Sequence, residues 1–262
     1  MKRGLPKRKS IEGVDNVILV SSGKGGVGKS TVAVNLSVAL SRLSPSYRVS
    51  LLDADIFGPS IPIMMNISEA PLLDDNNKML PVQNHGVGCM SMGLLMDSSS
   101  AAVWRGPMVM GALDKLLFHT NWAGTDFLVV DLPPGTGDVH LSLSQTVQVA
   151  GAVVVTTPQK VAMADVTKGV DMFNKVNVPV LGLIENMSGF VCSKCQETNY
   201  IFGVEGAQQL GASLNVPVLG KIPLDPAITS SGDSGRPLVI SHPQSKSAQI
   251  YLDIAQSIVS KL

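Results

Sequence analysis

The chain has 262 residues, 45 % of them hydrophobic and 15 % charged, with 20 Lys and Arg against 20 Asp and Glu and only three cysteines. That is apolar material enough for one large α/β unit or two small ones, and a formal net charge of zero gives no global reason to expect a nucleic-acid or acidic-membrane partner. No apolar run reaches the roughly 18 residues of a membrane span, and three cysteines do not make a secreted disulfide framework, so a reducing compartment fits better.

"MKRGLPKRKS" (1–10) carries five basic residues and no acidic one. Residues 1–15 read as a solvated basic tail, with a localisation signal or the stub of a removed targeting peptide as the other readings. The stretch lacks the length and amphipathic pattern of a presequence, and no secretory apolar region follows it. After it, short apolar runs recur: "NVILVSS" (16–22), "RVSLLDAD" (48–55), "GVGCMSMG" (86–93), "DFLVVDLPP" (126–134), "GAVVVTTP" (151–158), "PVLGLIENM" (179–187) and "PVLGKIPLD" (217–225). Continuous apolar character without alternation marks strands buried on both faces. Helical patterns lie between and after them, at 29–43, 139–150, 161–176, 203–215 and 247–262. The alternation predicts an α/β fold, a doubly wound, mainly parallel sheet flanked by helices. No Gly-, Ser- or Pro-rich linker and no internal repeat interrupts it, so residues 16–262 read as a single domain. Such sheets bind ligands beyond the carboxyl ends of their strands, where "SSGKGGVGKS", "DADIFGPS", "DLPPGTGD", "ENMS" and "IPLDP" all fall.

"GKGGVGKS" (23–30) satisfies G-x-x-x-x-G-K-[ST] between a predicted strand and a predicted helix, which is the context a P-loop requires. The loop Gly23, Lys24, Gly25, Gly26, Val27 and Gly28 would wrap phosphates with backbone N–H groups, aided by the positive end of the following helix. Lys29 is expected at the β- and γ-phosphates of ATP, Ser30 on Mg²⁺ and Thr31 at the α-phosphate. Lys24 is not needed for that cradle. It marks a deviant Walker A motif and resembles the lysine that, in ATPases such as nitrogenase iron protein and the Min and Par proteins, crosses a dimer interface to the partner's nucleotide. "FLVVDLPPGTGD" (127–138) reads as Walker B and switch II, with Asp131 holding Mg²⁺ through water and Gly135 and Gly137 in a mobile loop. By the same resemblance Asp55 is the switch I carboxylate that orients the attacking water and stands with Ser30 and Asp131 at Mg²⁺, whereas Asp53 reads as a turn cap. Asn186 resembles an adenine-contacting asparagine, and is otherwise a strand-end turn residue. Catalysis would be positioning and charge neutralisation, a weak Mg-dependent ATPase with Lys24, Lys29 and Asp55 as its catalytic groups. His85, His119, His140 and His242 show no ligand spacing and read as structural or solvated.

Cys192 and Cys195, in "GFVCSKCQET" (189–198), are half of a tetrahedral metal site, which takes about four protein ligands. The third cysteine, Cys89, falls in a predicted buried strand and reads as a small core hydrophobe. A thioredoxin-like redox pair would sit at a helix start, and this pair sits in a loop. Two copies meeting at a twofold axis would supply four thiolates, and Lys24 independently points to a dimer. The ligand set leaves a shared iron–sulfur cluster, a shared zinc and a redox pair open.

With "GKGGVGKST", "DADIFGPS", "WRGPM" (104–108), "DLPPGTGD", "TTPQ" (156–159), "ENMS", "CSKC" and "GKIPLD" in order, nearly the whole chain resembles the Mrp/Nbp35 family of P-loop ATPases that carry iron–sulfur clusters. "RGLPKRKSIEGV" (3–14) and "CMSMG" (89–93) resemble its mitochondrial branch, which serves respiratory complex I assembly. The resemblance implies a homodimer joined through Cys192, Cys195 and the Lys24 face, a 4Fe-4S cluster between them, its transfer to complex I apoproteins, and the mitochondrial matrix, with residues 1–10 just after a removed presequence. Two departures stand out: Ser193 replaces the family's usual proline, and residues 1–20 lack the N-terminal cysteine cluster of cytosolic relatives. A Min- or Par-type positioning switch, with a structural zinc or no metal, is the rival reading. Its membrane contact would fall to the terminal "SAQIYLDIAQSIVSKL" (247–262), a weak candidate with one lysine. An electron-transferring reductase fits less well, since no cysteine lies near "DLPPGTGD".

Overall fold

A computed structural model describes residues 8–95, 106–192 and 194–262. Residues 1–7 of the expected tail, Trp104 and Arg105 of "WRGPM", and Ser193 therefore lie outside the described residues. In chain order the elements are β1 (Val14–Ser22), α1 (Lys29–Leu43), β2 (Val49–Asp53), α2 (Ile61–Met64), β3 (Val82–Asn84), β4 (Val87–Ser91), α3 (Gly106–Phe118), β5 (Thr125–Asp131), α4 (Asp138–Thr146), β6 (Gly151–Thr156), α5 (Lys160–Lys175), β7 (Val180–Val191), β8 (Thr198–Asn199), α6 (Gly206–Leu214), β9 (Val218–Leu224), α7 (Pro226–Asp233), α8 (Leu238–Ser241) and α9 (Lys246–Val259).

The sheet runs β3-β4-β2-β5-β1-β6-β7-β8, with β9 also paired to β7. All pairings are parallel except the short edge strands β3 and β8, which run antiparallel to β4 and β7. Alternate residues of each strand enter different cores. Ile18, Val20, Leu51, Val129, Val153 and Val155 join α1, α8 and α9 on one face. Leu19, Leu52, Val130, Ala152 and Val154 join α3, α4 and α5 on the other. The continuous apolar runs are thus explained by a sheet covered on both sides, as expected for doubly wound α/β folds.

β1 lies between β5 and β6, and the chain crosses from one side of it to the other between those two strands. The sheet's topological switch point is therefore at the carboxyl end of β1, the place where such folds hold ligands. Cys89 meets its expectation. It is fully buried in β4, and burial pushes its thiol up to about 12, so it is a core side chain and not a ligand.

Candidate functional site

The P-loop begins where β1 stops, and its shape follows from its glycines. Gly26 and Gly28 both sit at φ 80, a region closed to most side chains. Gly28 is the N-cap of α1 and offers no capping side chain, so the first-turn N–H groups stay free for an anion. Lys29 is 6 % exposed and Asp131 fully buried; Lys29 Nζ donates to Asp131 Oδ1 at 2.6 Å and to Ser30 Oγ at 3.2 Å. The structure thus brings together the expected phosphate lysine, Mg²⁺ hydroxyl and Walker B carboxylate. Burial raises the Asp131 carboxyl above its ordinary range, and the Lys29 charge opposes that rise. Asp131 Oδ2 is buried without a hydrogen-bond partner. An orphaned carboxylate oxygen beside a serine hydroxyl is a donor set that suits a hydrated Mg²⁺.

Asp53 turns out to hold the segment that carries Asp55. It is 1 % exposed. Its Oδ1 accepts the Asp55 N–H at 3.2 Å, and its Oδ2 accepts the Ile61 N–H at 3.3 Å and the Ser91 hydroxyl at 3.1 Å. Both ends of the segment carrying Asp55 are therefore tied to one buried carboxyl. Burial first, and then the neighbouring Asp131, push that carboxyl up to about 7. Asp55 lines a cavity of about 860 Å³ with Phe57, Pro134, Gly137 and His140, so the segments that follow β2 and β5 meet at one cavity. His140 is fully buried, and neither ring nitrogen has a hydrogen-bond partner. Burial and then the Lys29 charge lower it to about 4, which keeps the imidazole neutral. The sequence reading of Asp53 as a turn cap is met by the Asp55 N–H on its Oδ1, and that of His140 as structural by its burial; the ties of Asp53 to Ile61 and Ser91 carry no local sequence signal.

On the other side of the P-loop, Gly28, Thr31, Asn186, Met187, Pro223 and Asp225 line a cavity of about 190 Å³. Asn186 Nδ2 donates to the Val27 carbonyl at 2.8 Å, so this asparagine supports the P-loop as well as facing the cavity. Asp225 caps α7 through the Ala227 N–H at 2.9 Å, placing "IPLD" at the cavity rim. Lys24 is half-buried, and its carbonyl accepts the Ser22 hydroxyl at 3.0 Å.

The cysteine pair is the turn of a hairpin. β7 and β8 pair at Phe190↔Asn199 and Val191↔Thr198. The Cys192 N–H donates to the Glu197 carbonyl, and the Gln196 N–H to the Cys192 carbonyl, both at 2.9 Å. The N–H groups of Cys195 and Lys194 turn toward the Cys192 sulfur and hold its thiol below the ordinary range. Amide donors on a sulfur favour the thiolate that binds metal. Both thiols are reduced, and Cys195 is exposed. Among the described residues no group of three or more His, Cys, Asp or Glu is placed to hold a metal ion.

A family model described as "NUBPL iron-transfer P-loop NTPase" matches residues 13–259. The chain belongs to that family. It is 54 % identical over 262 residues to the Mus musculus protein named "Iron-sulfur cluster transfer protein NUBPL", covering all of this chain and 82 % of the relative. It is 52 % identical over 252 residues to the Arabidopsis thaliana "Iron-sulfur protein required for NADH dehydrogenase, mitochondrial", covering 96 % and 80 %. It is 50 % identical over 251 residues to an Aquifex aeolicus "Iron-sulfur cluster carrier protein", covering 95 % and 68 %. Among solved structures, a nucleotide-binding protein from Archaeoglobus fulgidus in complex with ADP superimposes with a TM-score of 0.77 at 33 % identity, covering 90 % of this chain and 92 % of that one. The Pyrococcus furiosus cell-division ATPase MinD matches with a TM-score of 0.69 at 24 % identity, covering 94 % and 98 %. That second likeness is one of fold alone. Mostly parallel P-loop architecture is what the family has in common with it.

Proposed function

We propose that the protein is a nucleotide-dependent carrier of iron–sulfur clusters, which it holds between two copies of itself and passes to apoproteins. Its relatives carry the names of cluster transfer and carrier proteins, one of them required for NADH dehydrogenase. The observation that carries the reading is the Cys192–Cys195 turn. It presents two reduced thiols at a hairpin tip with no third ligand among the described residues. A four-thiolate cluster site is then completed by the same turn of a second copy related by a twofold axis. The cluster is cargo, and an exposed tip suits cargo that must leave.

In this reading ATP occupies the P-loop, with its base toward Asn186 and Asp225. The Lys29–Asp131 ion pair opens as ligand arrives: Lys29 moves to the β- and γ-phosphates, and Asp131 is left to the hydrated metal. Ser30 and Asp131 are the residues that would hold Mg²⁺, whose chemistry is to neutralise charge on the phosphates. Asp55 orients the attacking water, Asp53 fixes Asp55, and the Lys24 of each copy faces the other's nucleotide. Hydrolysis then needs no covalent protein intermediate. The eukaryotic relatives, one of them named as mitochondrial and required for NADH dehydrogenase, favour the mitochondrial matrix, with complex I subunits among the recipients.

The test is anaerobic reconstitution of the full chain with iron and sulfide, followed by incubation with an apo-ferredoxin of the 4Fe-4S type. Iron and sulfide bound to the protein, and their transfer to the acceptor, are expected. Zinc as the only retained metal would overturn the carrier reading in favour of a structural site.

A further inference from the structure

β7 belongs to both candidate sites. Asn186 and Met187 border the nucleotide-side cavity, and Cys192 follows the strand's last residue, Val191. The strand is not uniform between them. After an earlier shift between Leu183 and Ile184 it pairs with β9 in register from Ile184↔Gly220 to Asn186↔Ile222 and resumes at Phe190↔Leu224, so Met187, Ser188 and Gly189 stand opposite Pro223 alone. Proline has no N–H to give a ladder, so the two strands are untied at this point. Met187 sits at φ 56, in the left-handed region that a non-glycine residue rarely occupies.

Each side of this bulge is built for a different purpose. On the near side, Asn186 holds the Val27 carbonyl, and Gly28 packs so closely on the Asn186 amide that a Cβ there would collide with it. A displacement of the P-loop is therefore felt by Asn186. On the far side β7 has left β6, whose pairing ends at Glu185, and is held by the two-residue β8 and by Leu224. Cavities of about 190 Å³ and 260 Å³ flank the bulge and share Pro223. Met187 faces the first and Ser188 and Gly189 the second, which leaves space for the segment to pivot.

We infer that the Asn186–Gly189 bulge is the link through which nucleotide at the P-loop sets the position of Cys192 and Cys195. It rests on the carrier reading, and says how that carrier is regulated. Nucleotide entry shifts the Val27–Asn186 contact, the bulge turns that shift into a swing of the hairpin, and the swing changes how the thiols of two copies meet. Because such coupling is reciprocal, loading the cysteine pair must change nucleotide affinity by the same factor.

Hydrogen exchange of the metal-free full chain, kept reduced, with and without saturating Mg-ADP tests the link. In the parent, the amides of residues 190–199 should change their exchange rate by about fivefold or more on adding nucleotide. In Ser188→Gly, which softens the bulge and leaves the P-loop and cysteines intact, that response should fall below about twofold while Mg-ADP affinity stays within about twofold. Asn186→Ala, compared at saturating nucleotide, should lose the response from the other end and serves if the first variant does not fold. No response in the parent, or an undiminished one in both variants, overturns the inference. Iron content after reconstitution is read separately. A hairpin that responds but holds no iron supports the link and defeats the carrier reading; iron without a response does the reverse.

Discussion

The P-loop edge and the cysteine hairpin differ in almost every physical respect. The first is ringed by main-chain amides and built around buried charges. Lys29, Asp131 and Asp53 find partners within one chain. The second lies at the end of a thinly paired strand, with an exposed cysteine and half a ligand set. A site that must hold charge away from water is made from the middle of the sheet. A site that must give its contents to another molecule is made from its margin. β7 runs between them.

The largest effects should separate the two regions cleanly. Cys192→Ser should reduce the iron of reconstituted protein to background, while the Mg-ADP affinity of the metal-free variant stays within about twofold of the metal-free parent, since the sites share no side chain. Iron retained in that variant would place the cluster elsewhere. Conversely, Lys29→Ala should weaken Mg-ATP binding by more than about 100-fold in titration calorimetry, because it removes the phosphate cation and leaves Asp131 buried without its charge partner. Its iron content should survive. Unchanged ATP affinity would show that the ion pair is structural only.

A smaller effect concerns pH. The unfolded chain protonates His140 near 6.5, but the native imidazole resists until about 4. Between those values the unfolded state binds more protons, so unfolding free energy rises with pH and is lost on acidification. The contribution is fully present above 6.5 and should shrink by about 3 kcal/mol on descending to pH 4. Asp53, raised to about 7, acts in the opposite sense, its native state binding more protons between 3.8 and 7. Denaturant melts of His140→Gln and the parent over this range subtract that common part. An acid slope unaltered in the variant would mean that the native site accepts the proton.

The smallest effect isolates one contact. Gly28→Ala and Gly26→Ala both place a side chain at φ 80, but a Cβ at Gly26 meets open space while one at Gly28 strikes the Asn186 amide. Each should lose about 1 kcal/mol to strain, and Gly28→Ala about 1 kcal/mol more through that collision. Equal losses in denaturant melts would remove Asn186 as a support of the P-loop.

How far the sequence disclosed these regions follows the same division. "NVILVSSGKGGVGKS" carries strand, turn and helix start in one signal, and α1 begins at Lys29 as its pattern indicates. The parallel strands were legible because burial on both faces leaves no polar alternation. The end of β7 was not. "MSGFV" looks like a loop because a bulge opposite a proline breaks the period that betrays a strand, and the strand continues to Val191 beyond it. α3 opens on Gly106-Pro107 and carries Gly111, and α7 opens on Pro226 and carries Gly232; such residues give weak local helix preference, and tertiary packing decides both helices. Asp53 shows the same limit in a side chain. It reads as a turn cap and is one, but only the fold reveals that Ser91 of another strand closes on it.

Native mass measurement of the anaerobically reconstituted protein tests the sharing of one cluster between two copies most directly. A dimer of two chains with about four irons is expected, falling apart to iron-free chains in Cys195→Ser. A stable cluster on a single chain would contradict it.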